Sequence, residues 1–528
     1  MSTTRPGTEA TDVVIVGGGH NALVAAAYLA RAGVRTVLLE RLGHTGGAAV
    51  SAQAFAGLPA RLSRYSYLVS LLPKSIISDL GLSLELRSRT TASYTPLRRG
   101  ERDTSLLVER REGDATRESF RSLTGSDAEY GAWRTFYAEI AQLARVVLPS
   151  VLEPLPTASA LRDRCPADIW AGITERPIGE LVEERFSDDD VRGVVATDGL
   201  IGTFASVHDP SLVQNKCFLY HLIGNCTGEW RVPVGGMGAV TDSLADAALA
   251  AGADLRTGCE VLGIDADAAG GEVTYVHHGE EVTIAASWVL SGVAPAVLDR
   301  LRGRESSKPV GAQLKINLLL ERLPRLRSGV HPALAWAGTF HLGESLSNLE
   351  RAYEQAVAGQ LPSSPPGELY CHSLTDPSIL GPELAARGWH TLTYFGLHTP
   401  PGVFAADHNR LRGQAVDDLL TSLNDHLEDP IEECLARDGD GAPCLEAKTP
   451  QDLEDALAMP GGHIFHGDLG WPWRDEGDEP ATPARRWGVD TTDERVLVCG
   501  SGARRGGAVS GIGGHNAAHA VIELRAGR

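Results

Sequence analysis

TDVVIVGGGHNALVAAAYLARAGVRTVLLE, residues 11–40, is the stretch on which the fold turns. Val13–Val16 make a short apolar, β-branched run, the pattern of a strand buried on both faces of a parallel sheet. Gly17, Gly19 and Ala22 follow at the spacing G-x-G-x-x-A. Leu23 to Ala32 has helical composition, Gly33 supplies its stop, and Thr36–Leu39 repeats the strand pattern. Glu40 ends that second strand. Each position has a physical task. Gly17 permits a tight turn, Gly19 lets backbone approach a pyrophosphate, and Ala22 is small enough for close helix–strand contact. Asn21 lies in the first helical turn, whose free N–H groups and positive dipole end suit phosphates. Glu40 can accept hydrogen bonds from a ribose diol. A glycine triplet alone is often a surface turn; strand, turn, helix, strand and acid in register make it a dinucleotide site.

The next residues bear on which dinucleotide. Arg41 beside the acid would suit a 2′-phosphate, but Gly46-Gly47-Ala48-Ala49 argues otherwise. This arrangement resembles the FAD-binding N-terminus of the amine oxidase and phytoene desaturase superfamily. There the second glycine pair lies against the FAD pyrophosphate and ribityl chain. The resemblance implies FAD, bound non-covalently by Gly17, Gly19, Asn21, Ala22, Glu40, Arg41, Gly46, Gly47 and Ala48. Further on, Ser66-Tyr67-Leu68-Val69-Ser70-Leu71-Leu72 narrows the match. It is similar to the phytoene-desaturase-like branch that includes the pyridine nucleotide-disulfide oxidoreductase domain-containing protein 2. That resemblance sets Tyr67 near the isoalloxazine ring as a substrate-side residue. The residues by themselves fit a buried aromatic turn equally well.

Two C-terminal segments carry the same resemblance. Gly461-Gly462-His463-Ile-Phe-His466-Gly467 is a mark of the branch, whereas Trp471-Pro-Trp473 departs from its usual continuation, so the pocket differs there. His463 and Trp471 are expected on the substrate side. His466 is the first candidate general base, because an imidazole titrates near neutrality; a structural histidine in a glycine-rich turn is the alternative. No third ligand accompanies the two histidines, so no metal is expected. Val496-Leu-Val-Cys499-Gly500-Ser501-Gly502 and Gly506-Gly507-Ala508-Val509 then read as strand, turn and approach to a helix near Gly514–Leu524. The resemblance implies that they close the FAD site through Gly500, Ser501, Gly507, Ala508 and Val509.

Between these ends, Pro233-Val-Gly235-Gly236-Met-Gly238 lacks both a preceding buried strand and a spaced acid, so it is not a second dinucleotide fingerprint. By resemblance it returns the chain to the FAD unit, with Val261 near the adenine. Strands are expected at 254–256, 260–265, 272–276, 282–286 and 288–291, and on the substrate side at 313–320, from 370 onward and at 389–396. Tyr130, Trp133, Phe136, Tyr137, Ile140, Leu143 and Val147 recur at helical spacing and predict an amphipathic helix over 126–150. Ser187 followed by two aspartates predicts a helix start. The expected fold is α/β: a discontinuous Rossmann-type FAD-binding domain (1–100, 229–302, 466–528) and a substrate domain of mixed sheet and helices (101–228, 303–465).

A net charge of -20, from 68 acidic and 48 basic residues, argues against nucleic acid and against electrostatic attachment to anionic lipid. No run approaches the ~20 apolar residues of a membrane helix; peripheral contact stays open. The polar first residues, with Arg5 their one cation, carry no targeting pattern, and a cytoplasmic location is expected. Eight scattered cysteines include no C-x-x-C, so a dithiol relay has no support and the thiols are expected to be reduced. The favoured function is an FAD-dependent oxidoreductase taking hydride from a lipophilic or partly apolar small molecule. Oxygen, a quinone or another acceptor would reoxidise the flavin. Open alternatives are an amine or amino-acid oxidase, a redox-neutral isomerase using reduced FAD, and a low-turnover flavoprotein that binds a partner.

Overall fold

Two sheets, each assembled from distant parts of the chain, organise the computed structural model, which describes residues 9–527. The N-terminal segment read for targeting signals lies mostly outside those residues.

The first sheet has a parallel core in the order 496–498, 280–291, 9–16, 36–39 and 254–256. Val13–Val16 are almost fully buried, because helices cover both faces. The helix His20–Arg31 starts three residues earlier than the composition predicted and ends before Gly33, whose φ of 72° needs no Cβ. It packs against the helices Met237–Ala250 and Ile512–Ala526. At Gly514 the approach is so close that a Cβ would fall 1.8 Å from the Asn21 carbonyl oxygen. Residues 282–291, expected as two strands, form one strand, Glu280–Ser291. Its first half closes an antiparallel meander with Gly271–His277 and Cys259–Ala266, while its second half pairs in parallel with Val496–Val498. One long strand thereby joins three chain segments that sequence separates widely.

The second sheet runs 445–448, 314–320, 390–396, 367–370, 339–342, 91–99 and 102–109, antiparallel except where Thr339 and Phe340 meet Ser93 and Tyr94. Thr91–Arg99 thus belongs to this sheet although the boundary was expected at residue 100. The strand expected from Tyr370 onward instead ends there, and Asp376 turns the chain by accepting a hydrogen bond from the Ser378 amide. Helices between residues 114 and 223 cover this side. Ala128–Val147 buries Trp133, Phe136, Ile140, Leu143 and Val147 in their shared core, so its apolar stripe is core-facing. The following helix, Asp189–Ala196, is capped by Asp188 rather than Ser187. Among the described residues no helix is long and apolar enough to cross a membrane.

Candidate active site

The glycine turn after Val16 opens onto a cleft of about 340 Å³ between the two sheets. The N-terminus of His20–Arg31 points into it with no side-chain cap. A Cβ built on Gly19 meets no atom within 4 Å, so that side of the turn is open, whereas a Cβ on Gly47 would come 3.2 Å from Gly19 Cα. Gly46 donates its amide to the Gly18 carbonyl at 2.8 Å and has a φ of 118°. Two glycine segments therefore meet backbone to backbone; a side chain on Gly19 would project into the open space, whereas Gly46 lies behind the lining and a Cβ there would strike Val50 and Thr241.

Glu40 lies at one end. Its Oε2 accepts from the Gly18 amide at 2.7 Å and its Oε1 from the Leu42 amide at 2.8 Å. Each oxygen keeps capacity for a further hydrogen bond, as a sugar diol requires. The Cys259 amide donates to the Glu40 carbonyl, which brings Val261 to the same end. Arg41 also lines the cleft, with its Nη2 donating to the Ala456 carbonyl.

Past the glycine wall come Ala48, Tyr67, Gly500, Ser501, Ala508 and Val509. Asn21 lines the cleft and ties the C-terminal turn to the helix start by donating to the Gly506 carbonyl at 3.0 Å. His20 Nε2 donates to the Ala508 carbonyl at 2.9 Å. Burial holds the His20 imidazole down, to about 4, so it is neutral at pH 7. Gly507 is turned away: a Cβ there would strike Leu469 at 2.3 Å. The apolar part of the lining includes Leu68, Ile201, Phe395, Ile464 and Phe465.

His466 lines the cleft with a φ of 66°, and its Nδ1 is buried with no hydrogen-bond partner among the described residues. Burial, reinforced by His20 and His463, lowers its pKa to about 4. It is available as a neutral acceptor, but a weaker one than an ordinary imidazole. His463 differs. Its Nδ1 accepts from the amides of Phe465 and Gly467, both at 3.3 Å, and it holds the turn rather than lining the cleft. Trp471 also lies off the cleft, stacked on Trp473 at 4.9 Å.

Tyr67 is the hinge of the arrangement. It stacks on Tyr370 with ring centroids 4.1 Å apart and lines both the cleft and a second cavity of about 320 Å³ behind it. Lys315 sits under the Ser63–Tyr67 segment, donating from Nζ to the carbonyls of Ser63 (3.1 Å) and Ser66 (3.3 Å). Its ammonium is 5.5 Å from the Tyr67 ring centroid, and burial lowers its pKa to about 7. The sequence reading missed Lys315, although a lysine inside the wholly buried strand LKINLLL was a visible signal.

Metal chemistry was not expected. Away from the histidines considered for it, His341, Glu344 and Glu368 bring ligand atoms within 4.8 Å of one another. His341 Nδ1 and Glu344 Oε2 are 2.5 Å apart, and Glu368 accepts from the Tyr370 hydroxyl. Burial raises Glu344 well above the carboxylate range and Glu368 to about 8, so shared protons hold this cluster together. All eight cysteines are free, and burial pushes the Cys499 thiol up to about 12. Gly235–Gly238 follows only the two-residue strand Val232–Pro233, outside the parallel sheet.

Comparison with known proteins agrees with this geometry. A family model described as an NAD(P)-binding Rossmann-like domain matches residues 15–75. "Uncharacterized protein Rv0897c" of Mycobacterium tuberculosis is 49% identical over 98% of both chains. The pyridine nucleotide-disulfide oxidoreductase domain-containing protein 2 of Mus musculus is 30% identical, over 97% of this chain and 93% of that one. A structure of putrescine oxidase redesigned in cofactor binding superposes with a TM-score of 0.57, at 16% identity, over 98% of this chain and 100% of the other; it speaks for the fold. The chain belongs to the family of the pyridine nucleotide-disulfide oxidoreductase domain-containing protein 2.

Proposed function

We propose that this protein takes hydride from a carbon of a small molecule admitted between the two sheets. The observation that carries the reading is the change along one cleft from backbone donors and Glu40 to an apolar end around Tyr67. Bound FAD supplies a hydride acceptor at its N5. The chain's own residues divide the remaining work. The turn Gly17–Gly19, the amides of the helix start and the doublet Gly46-Gly47 hold the pyrophosphate. Glu40 accepts from the ribose, and Val261 and Arg41 flank the adenine end. Backbone at Ala508 and Val509, beside Gly500 and Ser501, offers dipoles to the redox end. Leu68, Ile201, Phe395, Ile464 and Phe465 exclude water from the oxidised C–H bond, and Tyr67 orients it. The neutral His466 imidazole takes a proton where the substrate must lose one.

For a hydrocarbon substrate the apolar wall suffices and no strong base is required. Oxidation of an amine or amino acid is the second reading, favoured because the cavity behind Tyr67 carries Arg89, Arg110 and Glu368. In either case oxygen, a quinone or another soluble acceptor reaches the cleft by the substrate route, since Gly235–Gly238 does not form a second dinucleotide unit. The test is anaerobic stopped-flow bleaching of the bound flavin by an alkene, a primary amine, an amino acid, NADH and NADPH. An organic donor is expected to reduce it. Rapid, saturable reduction at micromolar nicotinamide would overturn the reading.

A further inference from the structure

The cavity behind Tyr67 shares Tyr67, Ile201, His221 and Trp230 with the cleft. Its rim includes the exposed residues Glu112 and Thr227, so it opens to solvent. A short chain of hydrogen bonds joins the two spaces, and the second sheet explains it. Glu368 and Tyr370 are two residues apart on the strand Gly367–Tyr370, so both side chains leave the same face. His341 stands directly opposite Glu368 on the neighbouring strand. The Tyr67 ring stacks on the Tyr370 ring, which sets hydroxyl beside hydroxyl. Of these three, Tyr67 lines the cleft as well as the cavity, whereas Tyr370 and Glu368 line the cavity alone.

The chain has a direction. The Tyr67 hydroxyl donates to the Tyr370 oxygen at 3.2 Å, and the Tyr370 hydroxyl donates to Glu368 Oε2. Among the described residues nothing donates to the Tyr67 oxygen, so it is free to accept. Both protons therefore already point away from Tyr67 and toward a carboxyl group. Burial raises both tyrosines well above 10, so neither ionises, and each hydroxyl can take up a proton only as it gives one away.

Glu368 suits the receiving end. Burial and Glu344 raise it to about 8, with His341 and Tyr370 opposing, so part of the population offers a carboxylate at neutral pH. Around it, Glu344 is raised well above the carboxylate range, Asp198 to about 7, and Arg89, lowered to about 10, stays charged. His341 Nδ1 and Glu344 Oε2 share a proton at 2.5 Å. Two ligands of one small ion stand about 3 Å apart, so this contact is a hydrogen bond and not a pair of ligands. His466, lowered to about 4, cannot keep a proton at neutral pH, so a proton released in the cleft needs an acceptor elsewhere.

We propose that Tyr67, Tyr370 and Glu368 form a proton exit from the cleft. A proton binds the Tyr67 oxygen as the Tyr67 proton moves to Tyr370 and the Tyr370 proton to the Glu368 carboxylate. One O–H bond forms and one breaks at each hydroxyl, and no electrons move. Glu368 then passes the proton to water in the cavity, and the hydroxyls turn back. This rests on the hydride reading, which leaves a proton behind whenever the oxidised carbon bears an O–H or N–H. Tyr370 and Glu368 act through Tyr67.

The test follows the proton and needs no substrate. The FAD-loaded protein is photoreduced without oxygen and mixed with ferricyanide and a pH-indicator dye. Two ferricyanide ions take one electron each and no proton, so a proton is left in the cleft. Its appearance in the medium should speed up between pH 6 and pH 9, as Glu368 ionises. Tyr370→Phe, which keeps the ring and its stacking, and Glu368→Gln should each slow it at least about ten-fold at pH 8 and flatten that rise. Tyr67→Phe should do the same and carries the test if either of the others fails to fold. An infrared pH titration gives a second readout: a protonated-carboxyl band lost between pH 7 and pH 9 in the parent should be missing from Glu368→Gln. An unchanged rate and pH rise in Tyr370→Phe or Tyr67→Phe, no such band, or a stoichiometric divalent metal that Glu368→Gln loses would each overturn the assignment. Unaffected variants together with bleaching by an organic donor leave the hydride reading standing; a working exit without bleaching by any donor does the reverse.

Discussion

The cleft at the glycine turn and the cavity behind Tyr67 adjoin, yet they are built from different material. The cleft's glycine end presents backbone groups where a strand ends and a helix begins, and Glu40 there is fixed by the Gly18 and Leu42 amides. The cavity is built of side chains scattered along the chain from Tyr67 to Tyr370. Their protonation is set by burial and by one another. A backbone site needs only the right local turn and small residues. A side-chain site needs the whole second sheet in register before any of its chemistry exists.

The sharpest way to break this contrast is Gly19→Val. Its side chain would project into the open side of the turn, where no protein atom lies within 4 Å of a Cβ, so the chain should fold but take up no FAD. Absorbance of the purified protein and FAD released by acid measure this. Retained yellow colour would mean that the turn is not the cofactor wall.

A step down is His466→Ala. Removing the neutral imidazole should lower turnover about 10²-fold for a substrate that must lose a proton, with FAD content unchanged. The His466 pKa of about 4 puts its titration below the working range. The variant should therefore keep the parent's pH profile above pH 6. Loss of an ionisation near 6.5 on mutation would show that burial does not hold this imidazole neutral.

Stability separates the two regions further. Glu368 is raised to about 8 in the folded protein, by burial first and then by Glu344, with His341 and Tyr370 opposing. Between its unfolded pKa near 4.5 and about 8 the unfolded chain has released this proton and the folded protein holds it. Stability from this group thus falls as pH rises through that window. Glu368→Gln does not titrate, so its melting temperature relative to the parent should climb from pH 5 to 8, an effect of a few kcal/mol, roughly 1.4 per pH unit in that window. A constant offset across that range would mean that Glu368 is ionised in the fold.

The smallest effect belongs to Cys499→Ser. This thiol is buried beside the first sheet, and its high pKa denies it a thiolate at neutral pH. FAD content and turnover should be unchanged. Loss of turnover with FAD retained would restore a redox role to the thiol.

How much was legible follows the same division. Strand, turn, helix, strand and Glu40 within residues 11–40 determined the first sheet's core and the glycine wall of the cleft, because each depends on neighbours a few residues away. The C-terminal turn was placed here by family resemblance; Gly500, Ser501, Ala508 and Val509 line the cleft and Gly507 does not. His463 and Trp471 were not legible: both stand in a recognisable segment, but which side chain turns inward depends on how that loop packs, and His463 spends its ring on two amides of its own turn. Lys315, Glu368 and Tyr370 were beyond sequence reading as a site, because only the assembled second sheet brings Tyr370 against Tyr67 and sets the lysine beneath Ser66. The sequence by itself determined a strand-to-helix dinucleotide turn, since backbone geometry there is dictated by which residues lack a Cβ. Only the tertiary structure decided the charged cavity, since charge, burial and proton affinity are properties of groups that meet across the whole chain.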